Sequence, residues 1–434
     1  MPSQHGVSST FFLLLATNIS TTVKIIQPGE SIKNQQVWTF KSVMVIPYPL
    51  TQSHKKVGYK ALRIHSTKPI YVAMHDEDTF DSKDITQIFP IEKLSTTYLV
   101  ISANPTLLSI NRIVDVDKWK ETSFEDHVGV FVLSEVVIVA VHDNTSIFIT
   151  LPPHLRHDAY DYIGKIRGQT TINNTTFEIK LSSLETFQIF HFLDFSGTRI
   201  HSSKPIAVFS GILCRPSYRC NRNIKQMPPV DQFDVTFIVP PNGDKSKSLI
   251  RVLSEENTTL VVSSPEKTET VSISAGEPHD IEKFGKEVLV IQSKSQCESP
   301  RCRRSSPLLV NMVSFSENKY TRSRLHMTLV PGIHQYQFYY KIIIPAEWEE
   351  NYISIIIQES AASSLRMNQR RINSMDRTLP KGIDVEGVKY VVIEVKVPWG
   401  VMTFQSENAP FGLIAYGFDR YIDGYSFAGN VLFH

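Results

Sequence analysis

The sequence lacks the features that would assign it at once to a broad functional class. No run approaches the roughly 20 apolar residues that a membrane-spanning helix needs. The 45 Lys and Arg residues nearly balance the 43 Asp and Glu residues, leaving a net charge of +2, so no charge excess indicates nucleic acid as a partner. The nucleophile elbow, zinc-protease and phosphate-loop motifs are also missing. We therefore expect no enzyme, no catalytic or metal-binding residues, no cofactor, no nucleic-acid partner and no membrane span.

An export signal is not visible at the N-terminus either. Residues 11–16 are apolar, but the run is too short for a signal-peptide core and no basic region precedes it. The segment resembles strands further along the chain. We therefore predict that it is the first β-strand.

Two blocks of sequence occur twice, in the same order. Residues 200–208 read IHSSKPIAV and residues 64–72 read IHSTKPIYV, while residues 226–239 (QMPPVDQFDVTFIV) match residues 87–100 (QIFPIEKLSTTYLV) without a gap. Paired matches of this kind indicate internal duplication. Ser202 and Ser203 predict a turn between Ile200 and Pro205, and Pro205 can begin the strand that follows.

Short β-branched or aromatic runs bounded by turn residues fill the chain and predict an all-β fold. Weaker copies of the blocks suggest about four tandem repeats, which we place at residues 1–95, 96–235, 236–335 and 336–434. The strand density of the third repeat is typical of a β-sandwich. A propeller-like ring is the alternative, and the pattern does not decide between a row and a ring of units.

Only four cysteines are present, in two close pairs. Cys214 lies near Cys220, and Cys297 lies near Cys302. Four cysteines permit three pairings, of which the local one closes two short loops and suits a secreted protein. The spacing does not match a zinc knuckle, so we favour disulfides.

Asn-x-Ser/Thr acceptor sequences for N-glycosylation occur at five asparagines, and three of them fall in the corresponding hairpin of different repeats. We expect exposed turns there and an extracellular protein. The five positions are Asn18, Asn144, Asn173, Asn174 and Asn257.

Basic residues cluster beside the first cysteine pair, at Arg215, Arg219, Arg222 and Lys225. A loop on a rigid β scaffold is a common place for binding residues, so this segment is our candidate binding loop. The alternative is a solvated loop of basic residues with no partner.

The chain resembles a known family at several of these positions. Residues 204–211 (KPIAVFSG), the cysteine pair that follows and residues 226–229 (QMPP) resemble the N-terminal domain of the IgGFc-binding protein family. Residues 410–413, 416–418 and 425–427 resemble its closing motif, and residues 11–13 resemble its opening strand. The resemblance implies a secreted, mucus-associated binding or adhesion module, with immunoglobulin G Fc or a mucosal glycoprotein as its partner.

Two other functions remain open from the sequence. A glycan-binding or glycan-processing β-repeat protein would need paired carboxylates, and Asp231 and Asp234 are candidates. A structural component of mucus or matrix would need no saturable partner.

Overall fold

The computed structural model describes residues 8–27, 36–51, 57–77, 83–105, 131–155, 170–173, 176–191, 193–215, 223–242, 247–294, 305–315, 325–346, 348–372, 382–418 and 424–429. The fold is almost entirely β, as the sequence predicted. The helical elements in these ranges are 3₁₀ turns at Ile91–Lys93, Pro153–Leu155, Val230–Gln232, Ile333–Gln335 and Glu359–Ser364. No helix in the described ranges is long and apolar enough to cross a membrane.

The first group of strands comprises β1 (Ser8–Ala16), β2 (Thr21–Ile26), β3 (Gln36–Phe40), β4 (Val43–Thr51), β5 (Val57–Gly58), β6 (Arg63–Ser66), β7 (Tyr71–Glu77) and β8 (Lys83–Gln87). Two antiparallel sheets form, with the orders β4-β1-β7-β8 and β3-β2-β6.

The second group comprises β9 (Ser95–Leu99), β10 (Phe131–Ala140), β11 (Thr145–Thr150), β12 (Thr170–Asn173), β13 (Thr176–Leu181), β14 (Thr186–His191), β15 (Arg199–Arg215) and β16 (Asn223–Gln226). The long strand β15 belongs to both sheets of this group. Its first part pairs with β9 and β11, and its second part pairs with β10 and β16. The short strand β5 of the first group pairs with β14.

The third group comprises β17 (Thr236–Val239), β18 (Lys247–Ser254), β19 (Thr258–Ser263), β20 (Thr268–Ile273), β21 (His279–Phe284), β22 (Leu289–Lys294), β23 (Leu308–Phe315) and β24 (Leu325–Leu329). Its two sheets have the orders β17-β22-β19-β20 and β21-β18-β23-β24.

The fourth group comprises β25 (Tyr339–Ile344), β26 (Glu350–Gln358), β27 (Arg366–Met367), β28 (Arg370–Arg371), β29 (Ile383–Val385), β30 (Val388–Lys396), β31 (Gly400–Gln405), β32 (Phe411–Phe418) and β33 (Gly424–Ala428). Its sheets have the orders β25-β31-β27-β28 and β29-β30-β26-β32-β33.

All four groups follow one strand plan. If the third group is lettered A to H in chain order, its sheets read A-F-C-D and E-B-G-H. The fourth group repeats both orders, with β26 as B, β32 as G and β33 as H, and adds β29 beside strand E. In the second group both orders run through one nine-stranded sheet, because β15 serves as F in its first part and as G in its second; β9 is A, β10 is B, β11 is C and β16 is H. The described strands of the first group read D-C-F and E-B-G-H, with β1 as B, β2 as C, β6 as F, β7 as G and β8 as H.

Apolar residues from both sheets of the third group meet in one core, for example Phe237 and Leu260 of one sheet with Ile250 and Val310 of the other. Buried apolar clusters lie between the strands of the first, second and fourth groups as well. Each group is therefore sandwich-like, which confirms the sandwich prediction, and the described sheets form no closed propeller. We retain the four predicted residue ranges as a proposal for the units.

The predicted turn at Ser202–Pro205 was wrong for the second sandwich. Residues 199–215 continue as one strand, β15, whereas in the first copy β6 ends at Ser66 and residues 67–70 separate it from β7. A register shift between His201 and Ile206 accommodates the passage of β15 from one sheet to the other. The Ser202 hydroxyl donates to the Lys204 carbonyl at 2.7 Å, so the local bond expected of a turn forms within a bent strand instead.

The four H strands, β8, β16, β24 and β33, contact one another in a closed cycle. Lys225 of β16 bonds Asp84 of β8, and Asn223 of β16 accepts a bond from the backbone of Met327 in β24. The hydroxyls of Thr328 in β24 and Ser426 in β33 bond each other. The cycle closes where β33 meets β8. The sandwiches are thus arranged in a ring around their H strands.

A tyrosine hydroxyl ties strand A to strand G in two of the sandwiches. Tyr98 donates to the carbonyl of Ile206 at 2.7 Å and accepts from the backbone N–H of Ser95 at 3.0 Å. Tyr340 makes the same pair of bonds in the fourth sandwich. Burial raises the pKa of both hydroxyls well above the ordinary tyrosine value, so they remain donors at any physiological pH.

Replacing Tyr98 by phenylalanine should lower the free energy of unfolding by about 1–2 kcal/mol, because a buried carbonyl loses its donor. Urea denaturation of the full chain measures the change. Tyr352→Phe is the matched control, since that hydroxyl bonds Glu350 at the surface, and we expect less than about 0.5 kcal/mol from it. Equal losses in the two variants would contradict a structural role for the buried hydroxyl.

Candidate binding surface

The predicted binding loop joins strands G and H of the second sandwich. Its two ends are fixed by antiparallel pairing between β15 and β16, from Phe209 with Gln226 to Ile212 with Asn223. Gly211 packs directly on β16, because a Cβ at this position would lie 1.8 Å from the carbonyl oxygen of Asn223. The loop therefore leaves from a rigid, closely packed strand pair.

Most residues of the loop lie outside the described residues. Arg219, Cys220 and Arg222 fall there, as do Cys297 and Cys302 of the second cysteine pair. Cys214 and Arg215 lie on the backbone of β15, without a described side chain. Both disulfides and the three arginine positions therefore stay predictions.

Lys225 occupies a different place from the one expected of a binding-loop residue. Its side chain is 6% exposed, and its Nζ donates to Asp84 Oδ1 and to the Ile85 carbonyl, both at 2.6 Å. The other oxygen of Asp84 accepts from the backbone N–H of Ile224 at 2.9 Å. Lys225 thus joins the first and second sandwiches at the ring centre and does not face a partner.

Burial acts on both members of this ion pair. Desolvation raises the pKa of Asp84 and lowers the pKa of Lys225, and the opposite charge of each partner counteracts the shift. Removing one partner would leave the other charge buried without compensation. The pair therefore fixes how the two sandwiches meet.

Sequence reasoning grouped Lys225 with the arginines because of proximity along the chain. The sequence repeat could have separated Lys225 from the three arginines. Lys225 immediately precedes the repeated block at residue 226, and the corresponding residue of the first copy, Thr86, also lies within an H strand.

Three of the predicted glycosylation sites lie in the turns between strands B and C of three different sandwiches. Asn18, Asn144 and Asn257 are all exposed. Asn144 adopts a positive φ of 53°, a conformation that asparagine tolerates in tight turns. Asn18 bonds the hydroxyl of Tyr339 and the ammonium of Lys341 across the junction with the fourth sandwich.

The other two predicted sites are not defined by the structure. Asn173 ends β12, without a described side chain, and Asn174 lies outside the described residues. Glycosylation at all five positions stays a prediction.

The two candidate carboxylates for glycan chemistry make separate contacts in the described part of the chain. Asp234 is buried and accepts bonds from the backbone N–H and the Nδ1 of His334, both at 2.8 Å. Asp231 is exposed and accepts from the Ser95 hydroxyl. Asp234 lies in the connection between β16 and β17. Its bonds to His334 thereby hold this connection against the turn at Ile333–Gln335. In the described ranges, no group of three or more His, Cys, Asp or Glu side chains is placed to hold a metal ion.

A small cavity lies near the ring axis, where the C-terminal ends of the four H strands converge. Its volume is about 60 Å³, which is room for a few water molecules. Gln87, Gln226, Val330 and Ala428 represent the four sandwiches in its lining. Because the H strands end together here, their N-terminal ends, where the connections from strand G arrive, lie toward the opposite side of the ring.

Comparison with known proteins gives one family and one relative. A family model described as IgGFc binding protein matches residues 84–417. The human (Homo sapiens) IgGFc-binding protein is 23% identical over 283 residues, which cover 63% of this chain and 4% of that protein. The chain thus spans a small part of the length of its relative. No solved structure matches the chain.

Proposed function

The chain belongs to the IgGFc binding protein family, and from that membership we propose that it is a secreted, non-enzymatic binding module. The partner we propose is immunoglobulin G Fc, and a mucosal glycoprotein is the alternative partner. The observation that carries the proposal is the family match over residues 84–417, which spans all or part of each of the four sandwiches.

The binding surface we propose is the loop between β15 and β16, with Arg215, Arg219 and Arg222 as its contact residues. The close pairing of the two strands supports this choice, because a loop with rigid ends loses less conformational entropy when it binds. Guanidinium groups form paired bonds with carboxylates and stack on aromatic rings, and arginine is enriched at protein interfaces. Lys225 is not included, because it is buried against Asp84.

An extracellular location is supported by the placement of the acceptor asparagines. Asn144 and Asn257 stand in exposed turns at the ends of sandwiches, where a glycan would extend into solvent. The two predicted disulfides would suit the same compartment.

The test uses the full chain, secreted from animal cells behind a supplied signal peptide. We expect saturable binding to immobilised immunoglobulin G Fc and none to Fab at physiological salt. The double variant Arg219→Glu/Arg222→Glu should weaken Fc binding at least tenfold. Lys267→Glu is the matched control, because this exposed lysine lies on the third sandwich and its ammonium forms a surface ion pair with Glu269.

Binding to neither fragment by a folded chain would exclude Fc as the partner. A glycan array and a mucin-binding assay would then separate the glycan-binding function from the structural one. Fc binding that persists in the double variant would support Fc as the partner and exclude the loop as the binding site.

A further inference from the structure

One sheet of the fourth sandwich, β25-β31-β27-β28, carries a row of side chains that crosses all its strands. The register places Tyr339 opposite Gln405, Gln405 opposite Arg366, and Arg366 opposite Arg371. Residues directly opposite in antiparallel strands project from the same side of the sheet, with their Cβ atoms about 5 Å apart. We call Tyr339, Gln405, Arg366 and Arg371 the arginine row, and it spans about 14 Å.

The arginine row lies on the outer face of the sheet. Phe404 and Met367, which alternate with Gln405 and Arg366 along their strands, pack in the apolar core of the fourth sandwich. Because successive side chains of a strand point to opposite faces, the row points away from that core. Its two central residues are half-buried and its two end residues are exposed, so a ligand in solvent can reach all of them.

The two arginines of the row are a like-charge pair. Arg366 and Arg371 stand directly opposite each other, an arrangement that destabilises a sheet. Glu407 Oε1 lies 3.4 Å from Arg366 Nε, but an ion pair as exposed as this one contributes little. A sulfate or carboxylate between the two guanidinium groups would relieve the repulsion and accept forked hydrogen bonds from both.

The hairpin that carries the arginines is held in place. Its tip, Asn368 and Gln369, has φ values of 48° and 68°, as in the tight turns that join paired strands. The Asn368 side chain accepts from the backbone N–H of Thr403 at 2.9 Å, and the Asn368 N–H donates to the Thr403 carbonyl at 2.9 Å. These bonds fix the tip on β31. Because the hairpin is already ordered, less conformational entropy is lost when a ligand binds.

The other end of the row is neutral and has an aromatic ring. The Tyr339 hydroxyl accepts from Asn18 Nδ2 at 3.0 Å, which orients the ring, and 41% of the tyrosine is exposed. An exposed ring offers an apolar face to the C–H groups of a sugar. The Gln405 amide, which lies between this ring and Arg366, has both a donor and an acceptor for sugar hydroxyls.

We propose that the arginine row binds an acidic glycan. The sulfate or carboxylate of the glycan lies between Arg366 and Arg371, and its neutral sugars lie along Gln405 and Tyr339. A nucleic acid fits less well, because its phosphates repeat along the backbone whereas the positive charge of the row is confined to one end. The site is separate from the loop between β15 and β16, so the proposal stands whether or not the chain binds Fc.

The test uses the full chain, secreted as for the Fc assay and trimmed with an endoglycosidase, so that a glycan at the predicted acceptor Asn18 does not cover the row. The probes are sulfated, sialylated and neutral N-acetyllactosamine on an immobilised polymer. We expect saturable binding of at least one acidic probe at physiological salt, at least about tenfold tighter than that of the neutral probe. Comparison of the two acidic probes identifies the anionic group that the arginines prefer.

Substitutions in the chain locate the site. Arg371→Glu should weaken binding of the acidic probe at least about tenfold, because it replaces a guanidinium by a repelling carboxylate. Lys180→Glu is the matched control, since it makes the same change of charge at an exposed lysine on β13 of the second sandwich, and it should leave the affinity unchanged. Tyr339→Ala should also weaken binding several-fold, which attraction between charges alone does not predict. Circular dichroism checks that each variant is folded.

Three results with a folded chain would overturn the proposal. The first is equal binding, or no binding, of the acidic and neutral probes. The second is the same loss of affinity in Arg371→Glu and Lys180→Glu, which would mean unspecific attraction to the whole chain. The third is tighter binding of a polyglutamate peptide than of either acidic probe, which would assign the row to an acidic protein.

Discussion

Replacing Arg251 by methionine should lower the free energy of unfolding by about 3–5 kcal/mol, the usual cost of removing one partner from a buried ion pair. The Arg251 side chain is 1% exposed. Its guanidinium bonds Asp194 at 2.5 Å and both oxygens of Asp280 at 2.8 Å, and it donates to the Ser102 carbonyl at 2.8 Å. Without the arginine, Asp194 would keep a buried charge with its strongest partner removed.

The position of Arg251 explains why the loss should be large. It lies on strand B of the third sandwich, while Ser102 and Asp194 belong to the second. Burial lowers the pKa of Arg251, but the bonds to Asp280 and the charge of Asp194 outweigh that effect and raise it overall. The arginine therefore stays charged and holds two sandwiches together.

Guanidinium chloride denaturation of the full chain measures this change. Arg199→Met is the matched control, because the ion pair of Arg199 with Glu255 is more than one-third exposed on both sides and should contribute about 0.2–1 kcal/mol. Adding Asp194→Asn to Arg251→Met should recover part of the loss. A loss from Arg251→Met no larger than that from Arg199→Met would contradict the structural role of the buried pair.

Acid should destabilise the chain through His326, and the effect should begin near pH 6.5. His326 is buried in β24, where its Nε2 contacts the Nδ2 of Asn242 at 2.9 Å. Burial, with a contribution from the charge of Lys225, lowers the pKa of His326 from 6.5 to about 3. The unfolded chain binds a proton at this residue below pH 6.5, whereas the folded chain does not bind it until about pH 3.

The free energy of unfolding should fall as the pH decreases. The unfolded state holds more protons in this window, so stability is fully present above pH 6.5 and falls as the pH decreases toward 3. At pH 5 the contribution of His326 should be a loss of about 2 kcal/mol. Carboxylates add their own titration nearer pH 4, which makes the interval from pH 6.5 to 5 the most informative.

The measurement is the free energy of unfolding at pH 7, 6 and 5 for the chain and for His326→Gln. The glutamine oxygen can accept the bond from Asn242 without titrating, so the variant should lose less stability on acidification than the parent chain. His142→Gln replaces an exposed histidine and should retain the pH dependence of the parent. Identical pH dependence in the parent and His326→Gln would refute the assignment.

The two repeated blocks show which local structures the sequence pattern predicted correctly and which it did not. The second block predicted a strand after the proline pair, and β17 forms at Thr236–Val239, because β-branched and aromatic residues specify a strand wherever both faces are covered. The first block predicted a turn in both copies, but only the copy at residues 67–70 has one. Whether such a segment turns or bends depends on the two sheets that it joins, and these are assembled from distant residues.

The sequence by itself determined the strands, the duplication and the family. These depend on local periodicity and on motif residues that stay adjacent in the chain. Only the tertiary structure decided the closed ring, the burial of Lys225 and the passage of β15 from one sheet to the other. Each of these depends on contacts between residues far apart in sequence, such as Asp84 and Lys225, which are 141 positions apart. A residue pattern of period two specifies which face of a strand is apolar, but not which sandwich will cover it.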